Sequence, residues 1–340
     1  MTDTDDEKPL RLRRLRIVQA LTYLVARAII MIVCMLPPRM AGRAGRLLGR
    51  IMYVVDRKHV KLARKNLTRT GFMNLDDRAQ GRFIRRVYEH FGTSIVENLM
   101  LPKLVQGGRL MQLARMENRH FMDAALARGK GAIMVIAHLG NWELGGLFVP
   151  ASGYAANSIV RPIENPWLDR FWNRLRALTG QKVISKETAV LDMVRVFKRN
   201  EILVILADLD ARDGGVFIPF FGQPASTTRS PAVFAMRYGA PIVPLEVWRG
   251  DDGIHHYRYS EPIPVGTYAS NDAGVADIMT KVNARLEEFV RRHPTQWMWM
   301  HARWKTAGRV LRKEAERRAL QAQTSDFRPQ ASDDGPTPDV

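Results

Sequence analysis

The 340-residue sequence contains a single cysteine, Cys34, so no disulfide can form within one chain. This fits a reducing, cytosolic environment. Several catalytic and ligand-binding motifs are also missing. There is no G-x-S-x-G around a nucleophilic serine, no H-E-x-x-H or C-x-x-C zinc motif, and no G-x-x-x-x-G-K-[ST] phosphate loop. The sequence therefore predicts no protein nucleophile, no metal site and no bound cofactor.

Acidic residues are few beside the basic ones. The chain has 52 Lys and Arg against 34 Asp and Glu, a formal net charge of +18. Such an excess predicts an acidic partner, either nucleic acid or an anionic membrane surface. Apolar residues make up 46% of the chain, which is enough for a substantial core.

The N-terminus favours the membrane over nucleic acid. Four arginines precede the run "IVQALTYLVARAIIMIVCMLPP", which has about the length that a helix needs to cross a bilayer. Gln19, Thr22 and Arg27 interrupt the run, and a buried core helix is the alternative. Basic residues flank the run on both sides and give no clear orientation, so a crossing helix and a helix that lies in the membrane plane both stay open. A basic block, residues 39–65, follows it and suits anionic head groups.

These patterns predict four segments. They are a disordered basic N-terminus (1–16), a membrane anchor helix (17–36), a catalytic domain (39–319) and a disordered polar tail (320–340).

From about residue 118 the chain alternates short apolar runs with helical patterns. Continuous apolar strands between helices predict an α/β fold with a central, mostly parallel sheet covered by helices on both faces. We expect strands at "AIMVIA", "NSIVR", "KVIS", "EILVILAD", "APIVPLEVW" and "HHYRYSEPIPV". Residues 273–294 predict an amphipathic helix, and Ser230 is expected to be the N-cap of another.

Three polar residues follow three of these strands: His138, Arg161 and Asp208. Ligands of such sheets bind beyond the carboxyl ends of the strands, so these side chains are candidates for one site. Arg161 would bind a phosphate or stabilise an oxyanion there, or form only a surface ion pair. Asp208 and Asp210 would orient His138, bind substrate, hold a metal or cap the turn.

The stretch "AHLGNWELGG" carries the most specific chemistry. A tight turn would bring Glu143 back to His138, and a carboxylate at one ring nitrogen leaves the other nitrogen as a base. The alternative is a structural histidine that ends a strand. A base without a protein nucleophile suits direct acyl transfer to a substrate hydroxyl.

Two aromatic stretches remain. The segment "GVFIPFFGQPASTTRSPAVFA" is an unusually apolar loop that suits an alkyl chain, or simply packs on the core. The segment "HPTQWMWMHARWKT" combines Trp with basic residues, which suits a membrane interface or stacked nucleic-acid bases.

Together these residues resemble the late acyltransferases of lipid A biosynthesis, which are related to the phosphatidylinositol mannoside acyltransferases and, more distantly, to the glycerol-phosphate acyltransferases. "AHLGNWELGG" is similar to their H-x4-[DE] signature. "VRPIENPWLDRFWNRLR", "ADLD", "GVFIPFFGQPAST" and "HPTQWMWMHARWK" follow in the family's order, so the likeness covers about residues 15–306. One departure is "PTQ" in place of the family's usual "PEQ".

The resemblance implies a glycerol-phosphate acyltransferase-like fold. It also implies transfer of a fatty acyl group, from acyl carrier protein or coenzyme A as co-substrate, to a hydroxyl of a membrane glycolipid. His138 would be the general base and Glu143 its partner. Arg161, Asn141, Asp208 and Asn165 would bind substrate.

The enzyme would sit at a bacterial inner membrane with its catalytic domain in the cytoplasm. A glycerolipid or lysophospholipid acceptor is the alternative. A nucleic-acid-binding protein or an inactive membrane scaffold fits the residues less well.

Overall fold

The computed structural model describes residues 7–160, 162–184, 189–266, 271–310 and 312–313. Its helices are α1 (Glu7–Met35), α2 (Pro38–Val55), α3 (Arg57–Thr70), α4 (Asp77–Gln106), α5 (Arg119–Leu126), α6 (Trp142–Ala151), α7 (Pro166–Leu178), α8 (Ala189–Lys198), α9 (Ser230–Tyr238) and α10 (Asp272–Arg292). Its strands are β1 (Ala114–Glu117), β2 (Ala132–Ile136), β3 (Ala156–Ile159), β4 (Lys182–Ile184), β5 (Ile202–Leu206), β6 (Val216–Phe220), β7 (Gln223–Thr227), β8 (Ile242–Arg249) and β9 (His255–Tyr259).

Seven strands form one sheet in the order β1-β9-β8-β2-β5-β3-β4. Every neighbouring pair is parallel except β8 and β9. Each residue of β2 is buried, as expected for a central strand that is covered on both faces. The predicted α/β fold with a mostly parallel sheet is confirmed.

The predicted amphipathic helix is also confirmed as α10. Its apolar stripe packs into the core through Val275, Ile278, Met279, Val282, Leu286, Phe289 and Val290. The N-cap prediction for Ser230 is off by one residue, because α9 begins at Ser230 itself and Arg229 occupies the cap position.

The apolar segment predicted to be a loop is instead an antiparallel hairpin of β6 and β7. Phe221 and Gly222 form its two-residue turn, both with positive φ (51° and 68°), as a type I′ turn requires. Pro219 and Pro224 pair across the hairpin. Since proline within an apolar run argues against a strand, these two residues concealed the hairpin in the sequence.

Helix α1 begins at Glu7, ten residues before the predicted start of the anchor, so part of the segment 1–16 is helical. Its stretch Arg16–Met35, with a mean hydropathy of 2.1, is long and apolar enough to cross a membrane. The predicted tail, residues 320–340, lies outside the described residues.

Candidate active site

His138 and Asp208 meet beyond the carboxyl ends of two neighbouring strands. β2 and β5 pair in parallel with Ile136 opposite Leu206, so the residues two positions further along each strand also lie side by side. Nδ1 of His138 is 2.7 Å from Oδ1 of Asp208. The backbone N–H of His138 donates to Oδ2 of the same carboxylate at 2.8 Å.

Asp208 is fully buried, with no exposed surface. Burial alone would raise the pKa of its carboxyl, but the charge of His138 and hydrogen bonds from His138 and Trp297 outweigh it and hold the pKa below the ordinary value. The indole N–H of Trp297 donates to Oδ2 at 2.8 Å. The carboxylate is therefore ionised and held from two sides.

The turn after β2 is fixed by a close backbone approach. Gly140 has φ +62°, and a Cβ at this position would lie 2.7 Å from the carbonyl oxygen of Val247. The C-terminal segment clamps the same turn. Met298 N–H donates to the carbonyl of His138 at 3.3 Å, and Gly140 N–H donates to that of Gln296 at 3.1 Å. Only glycine satisfies both the turn and the contact.

The expected contact between Glu143 and His138 is wrong. Nδ1 of His138 is taken by Asp208, whereas Glu143 lies 3.8 Å from Arg176 of α7 and keeps 52% of its side chain exposed. Glu143 is the second residue of α6, and the helix directs it towards α7 rather than back over the turn. Trp142 instead contacts the imidazole, edge-on with 5.0 Å between ring centroids. A catalytic role of Glu143 stays a prediction.

Asn141 and Asn165, predicted to bind substrate, are helix caps. Asn141 is 1% exposed. It accepts from Leu144 N–H at 3.1 Å and donates to Glu97 at 3.0 Å. Asn165 accepts from the first N–H groups of α7 and donates to the carbonyl of Gln19 in α1 at 2.8 Å. Both amides are thus engaged within the protein through the oxygen and one N–H each. Their substrate-binding roles stay predictions.

A largely buried charged network, which the sequence did not reveal, lies behind the histidine turn. Glu97 forms an ion pair with Arg249 and lies 3.4 Å from His255. Arg249 in turn donates to Nδ1 of His90 at 3.1 Å, and Nε2–H of His90 donates to the carbonyl of Gly140 at 3.2 Å. The network thereby connects α4 and β8 to the turn that carries His138.

The network fixes the protonation states of His90 and Glu97. Burial, reinforced by the charge of Arg249, lowers the pKa of His90 to about 3, so this ring is neutral near pH 7. Burial would raise the pKa of Glu97, but hydrogen bonds and charges from His255 and Arg249 lower it to about 2. A neutral histidine and an ionised glutamate therefore support the turn.

A second polar group lies next to the pair. Nε2 of His301 accepts from the backbone N–H of Asp210 at 3.3 Å, and burial lowers the pKa of His301. Arg303, fully buried, donates to the carbonyl of Leu209 at 3.1 Å and to Thr227 at 2.6 Å. These contacts fix the segment after β5, which carries Asp208.

A cavity of about 360 Å³ lies between α4, α6 and α7. Its apolar wall consists of Leu101, Leu147, Val160, Ile163, Trp172 and Leu175, and its polar groups are Asn98, Glu143 and Arg176. Arg161 lies outside the described residues, but its near neighbours Val160 and Ile163 both line the cavity. The cavity is therefore a candidate for an apolar ligand with a polar end.

The arrangement can remove a proton from a bound group. Nδ1 of His138 is occupied, and no described residue bonds to Nε2. The side chain is 13% exposed, so Nε2 is the nitrogen left for a ligand. Among the described residues, no group of three or more His, Cys, Asp or Glu side chains is placed to hold a metal ion.

Comparison with known proteins gives a consistent assignment. The family model of the bacterial lipid A biosynthesis acyltransferases matches residues 9–306, which contain every strand and both members of the His138–Asp208 pair. A lipid A biosynthesis lauroyltransferase of Escherichia coli K12 is 26% identical over 289 residues, which cover 82% of this chain and 89% of the relative. A phosphatidylinositol mannoside acyltransferase of Mycobacterium tuberculosis CDC 1551 is 25% identical over 221 residues, covering 64% and 68%. A lipid A biosynthesis palmitoleoyltransferase of E. coli K12 is 24% identical over 252 residues, covering 74% and 80%.

Proposed function

This chain belongs to the bacterial lipid A biosynthesis acyltransferase family, and from that premise we propose that it transfers a fatty acyl group to a hydroxyl of a membrane glycolipid. The acyl donor is a thioester of acyl carrier protein or coenzyme A. Two of the relatives are named for the transfer of lauroyl and palmitoleoyl groups, and the third is named as an acyltransferase of phosphatidylinositol mannoside. We place the reaction at a bacterial inner membrane, on the cytoplasmic side where acyl thioesters are made.

One observation carries the mechanism: Nδ1 of His138 is held by an ionised, buried Asp208, which leaves Nε2 as the base. Nε2 takes the proton of the acceptor hydroxyl while the hydroxyl oxygen attacks the thioester carbonyl. The tetrahedral intermediate collapses, the C–S bond breaks, and the thiolate takes the proton from the imidazolium. Asp208 balances the positive charge that His138 carries between these steps.

Direct transfer needs no acyl-enzyme. Cys34, the sole cysteine, lies in α1, where its thiol donates to the backbone carbonyl of Leu99 in α4 at 3.6 Å. No G-x-S-x-G motif supplies a serine. The acceptor hydroxyl is therefore the nucleophile.

The 360 Å³ cavity is the proposed place for the acyl chain. Its wall is apolar, and Glu143 and Arg176 stand at its polar part. We propose that Glu143 acts there, on the substrate side, by positioning Arg176 and the thioester end of the chain. Arg161, which follows Val160 in sequence, is proposed to bind the anionic part of the substrate or the oxyanion, as its fork of donors suits.

Purified protein, a radiolabelled acyl thioester and candidate lipid acceptors test the proposal directly. We expect acyl-lipid product from the wild type, and its formation at least about 10²-fold slower from His138→Ala. Thioester hydrolysis without product on any lipid hydroxyl would contradict it. Mass spectrometry of lipids from a strain that lacks the gene identifies the acceptor, and distinguishes a glycolipid from a glycerolipid or lysophospholipid.

A further inference from the structure

Helix α1 lies lengthwise against the catalytic domain. Its contacts begin at Gln19, whose carbonyl accepts from Asn165, and end at Cys34, whose carbonyl accepts from Lys103 at 2.7 Å. Between them Tyr23 packs edge-on against Trp167, with 5.7 Å between ring centroids. At about 1.5 Å per helical residue, the contacts cover about 22 Å of the apolar stretch.

Arg27 explains why the apolar run carries a charge. Its guanidinium lies 4.4 Å from the centroid of the Phe171 ring in α7, a favourable cation–π geometry. Arg27 therefore belongs to the stripe that faces the domain, together with Tyr23 and the buried Ile30. The opposite side of α1 is apolar and exposed, at Ile17, Val18, Leu21, Val25, Ile29 and Ile32.

Helix α2 repeats this division. Gly45 and Gly49 allow the backbone of α2 to approach α4 closely. A Cβ at Gly49 would lie 2.2 Å from the carbonyl oxygen of Tyr88, so only glycine fits there. Its outer face is apolar, with 52–74% of each residue exposed, at Met40, Leu47, Ile51, Val54 and Val55. The helix contains four arginines and no acidic residue: Arg39, Arg43, Arg46 and Arg50.

A crossing orientation conflicts with these contacts. If α1 stood along the bilayer normal, the parts of α4 and α7 that touch it would lie at hydrocarbon depth over about 22 Å. Where α7 meets the middle of α1, between Trp167 and Phe171, that surface includes the charged and exposed Arg170. Charged groups at that depth cost about 3 kcal/mol each on insertion scales.

We infer that the chain does not cross the membrane: α1 lies in the plane of one leaflet, and the outer faces of α1 and α2 form one surface that binds an anionic lipid bilayer. Amphipathic helices with arginines beside an apolar face bind in this way, about 5–10 Å into the interface. The inference extends the membrane location in the proposed function and does not depend on acyl transfer.

Depth-dependent fluorescence quenching tests the orientation in the full chain. Cys34→Ser, which keeps a hydrogen-bond donor towards Leu99, provides a background without cysteine. Single cysteines at Val18, Val25 and Ile32 sample one face of α1, and Ile51→Cys samples α2. Each is labelled with an environment-sensitive dye and bound to phosphatidylglycerol-containing vesicles. The matched control is Glu288→Cys, exposed on α10.

We expect a blue shift at all four test positions, and about twofold more quenching by a shallow than by a deep doxyl lipid, because each lies in the interface. Glu288→Cys should show neither effect. Deepest quenching at Val25→Cys alone would show a crossing helix and overturn the inference. Absence of lipid quenching at Ile51→Cys, or a blue shift there without vesicles, would also overturn it by assigning α2 to water or to a protein contact. An acyltransferase assay on the same samples keeps a failure of activity separate from a failure of orientation.

Discussion

His138 and Asp208 are adjacent because the register of β2 against β5 leaves both residues two positions beyond a paired couple, Ile136 and Leu206. Their side chains approach to 2.7 Å although 70 residues separate them in the chain. The pair is thus built by the sheet, and its chemistry can be tested one side chain at a time.

Replacement of the base should abolish most of the activity. We expect His138→Ala to lower kcat by about 10²–10⁴-fold, the usual contribution of a positioned general base. Vesicle binding and thermal stability should stay near wild type, since the side chain is at the edge of the core. His120→Ala, at an exposed histidine, is the matched control. Turnover near wild type in His138→Ala would leave direct transfer without a base.

Loss of the buried charge should be almost as damaging. Asp208→Asn keeps the shape of the side chain but cannot balance the charge of an imidazolium. Its NH2 group can also donate to Nδ1 of His138, which would leave the proton on Nε2 and remove the free base. We expect kcat to fall by about 10²-fold or more. Because the two residues act as one unit, His138→Ala combined with Asp208→Asn should be little worse than His138→Ala. Multiplied losses in the kinetics of the double variant would show that they act separately.

Glu143 should behave differently from Asp208. It pairs with Arg176 rather than with His138, so Glu143→Gln should raise KM more than it lowers kcat. Full kinetic profiles of Glu143→Gln and Arg176→Gln should show similar defects. If Glu143→Gln lost as much kcat as Asp208→Asn, Glu143 would have to act with His138 in proton transfer, which would contradict this prediction.

The length of the acyl group should depend on the cavity. Leu175 is buried in its wall, so Leu175→Trp fills part of the 360 Å³ and should shift selectivity towards shorter acyl chains. Competition between thioesters of different length measures this ratio. Leu178→Trp, exposed on the same helix, should leave it unchanged. Unaltered selectivity in Leu175→Trp would place the chain elsewhere.

The buried network should make the protein sensitive to mild acid. The pKa of His90 is about 3 in the folded protein and about 6.5 when unfolded, so only the unfolded chain takes up a proton between these values. The contribution of His90 to the free energy of unfolding is therefore fully present above pH 6.5. It falls by about 1.4 kcal/mol per pH unit as the pH falls from 6.5 towards 3. We expect a smaller change of Tm between pH 7 and pH 5 in His90→Gln. The exposed His120→Gln should keep the wild-type change, and an equal change in both variants would contradict the role of His90.

Local patterns in the sequence predicted the sheet and one half of the site. Continuous apolar runs located the central strands. Because parallel strands end at one edge of the sheet, the sequence also predicted that His138 and Asp208 lie in one site. The spacing of five residues between His138 and Glu143 did not determine the direction of the Glu143 side chain. That direction depends on the first turn of α6, which places the carboxylate near Arg176.

Contacts between distant segments were beyond the sequence. The bond from Trp297 to Asp208 and the pairing of Glu97 with Arg249 join residues that are 89 and 152 positions apart. Tryptophan and arginine are common at membrane and nucleic-acid surfaces, so the residue types in segment 293–306 suggested an exterior role. In the structure Trp297 and Arg303 of this segment are buried. Their burial becomes visible only once the C-terminal segment is seen to close over the sheet.

That closure sets the order in which the protein becomes competent during its synthesis. The chain leaves the ribosome from its N-terminus, so α1 emerges before the strands that carry His138 and Asp208. Trp297, which donates to Asp208, emerges 89 residues after that carboxylate, together with Met298, which bonds to the carbonyl of His138. A nascent chain can therefore reach the lipid surface with its strands made and its catalytic carboxylate still lacking the indole that holds it. Ribosomes that stall shortly before this tryptophan would release a protein that has the base and its partner but not the clamp that keeps them in place.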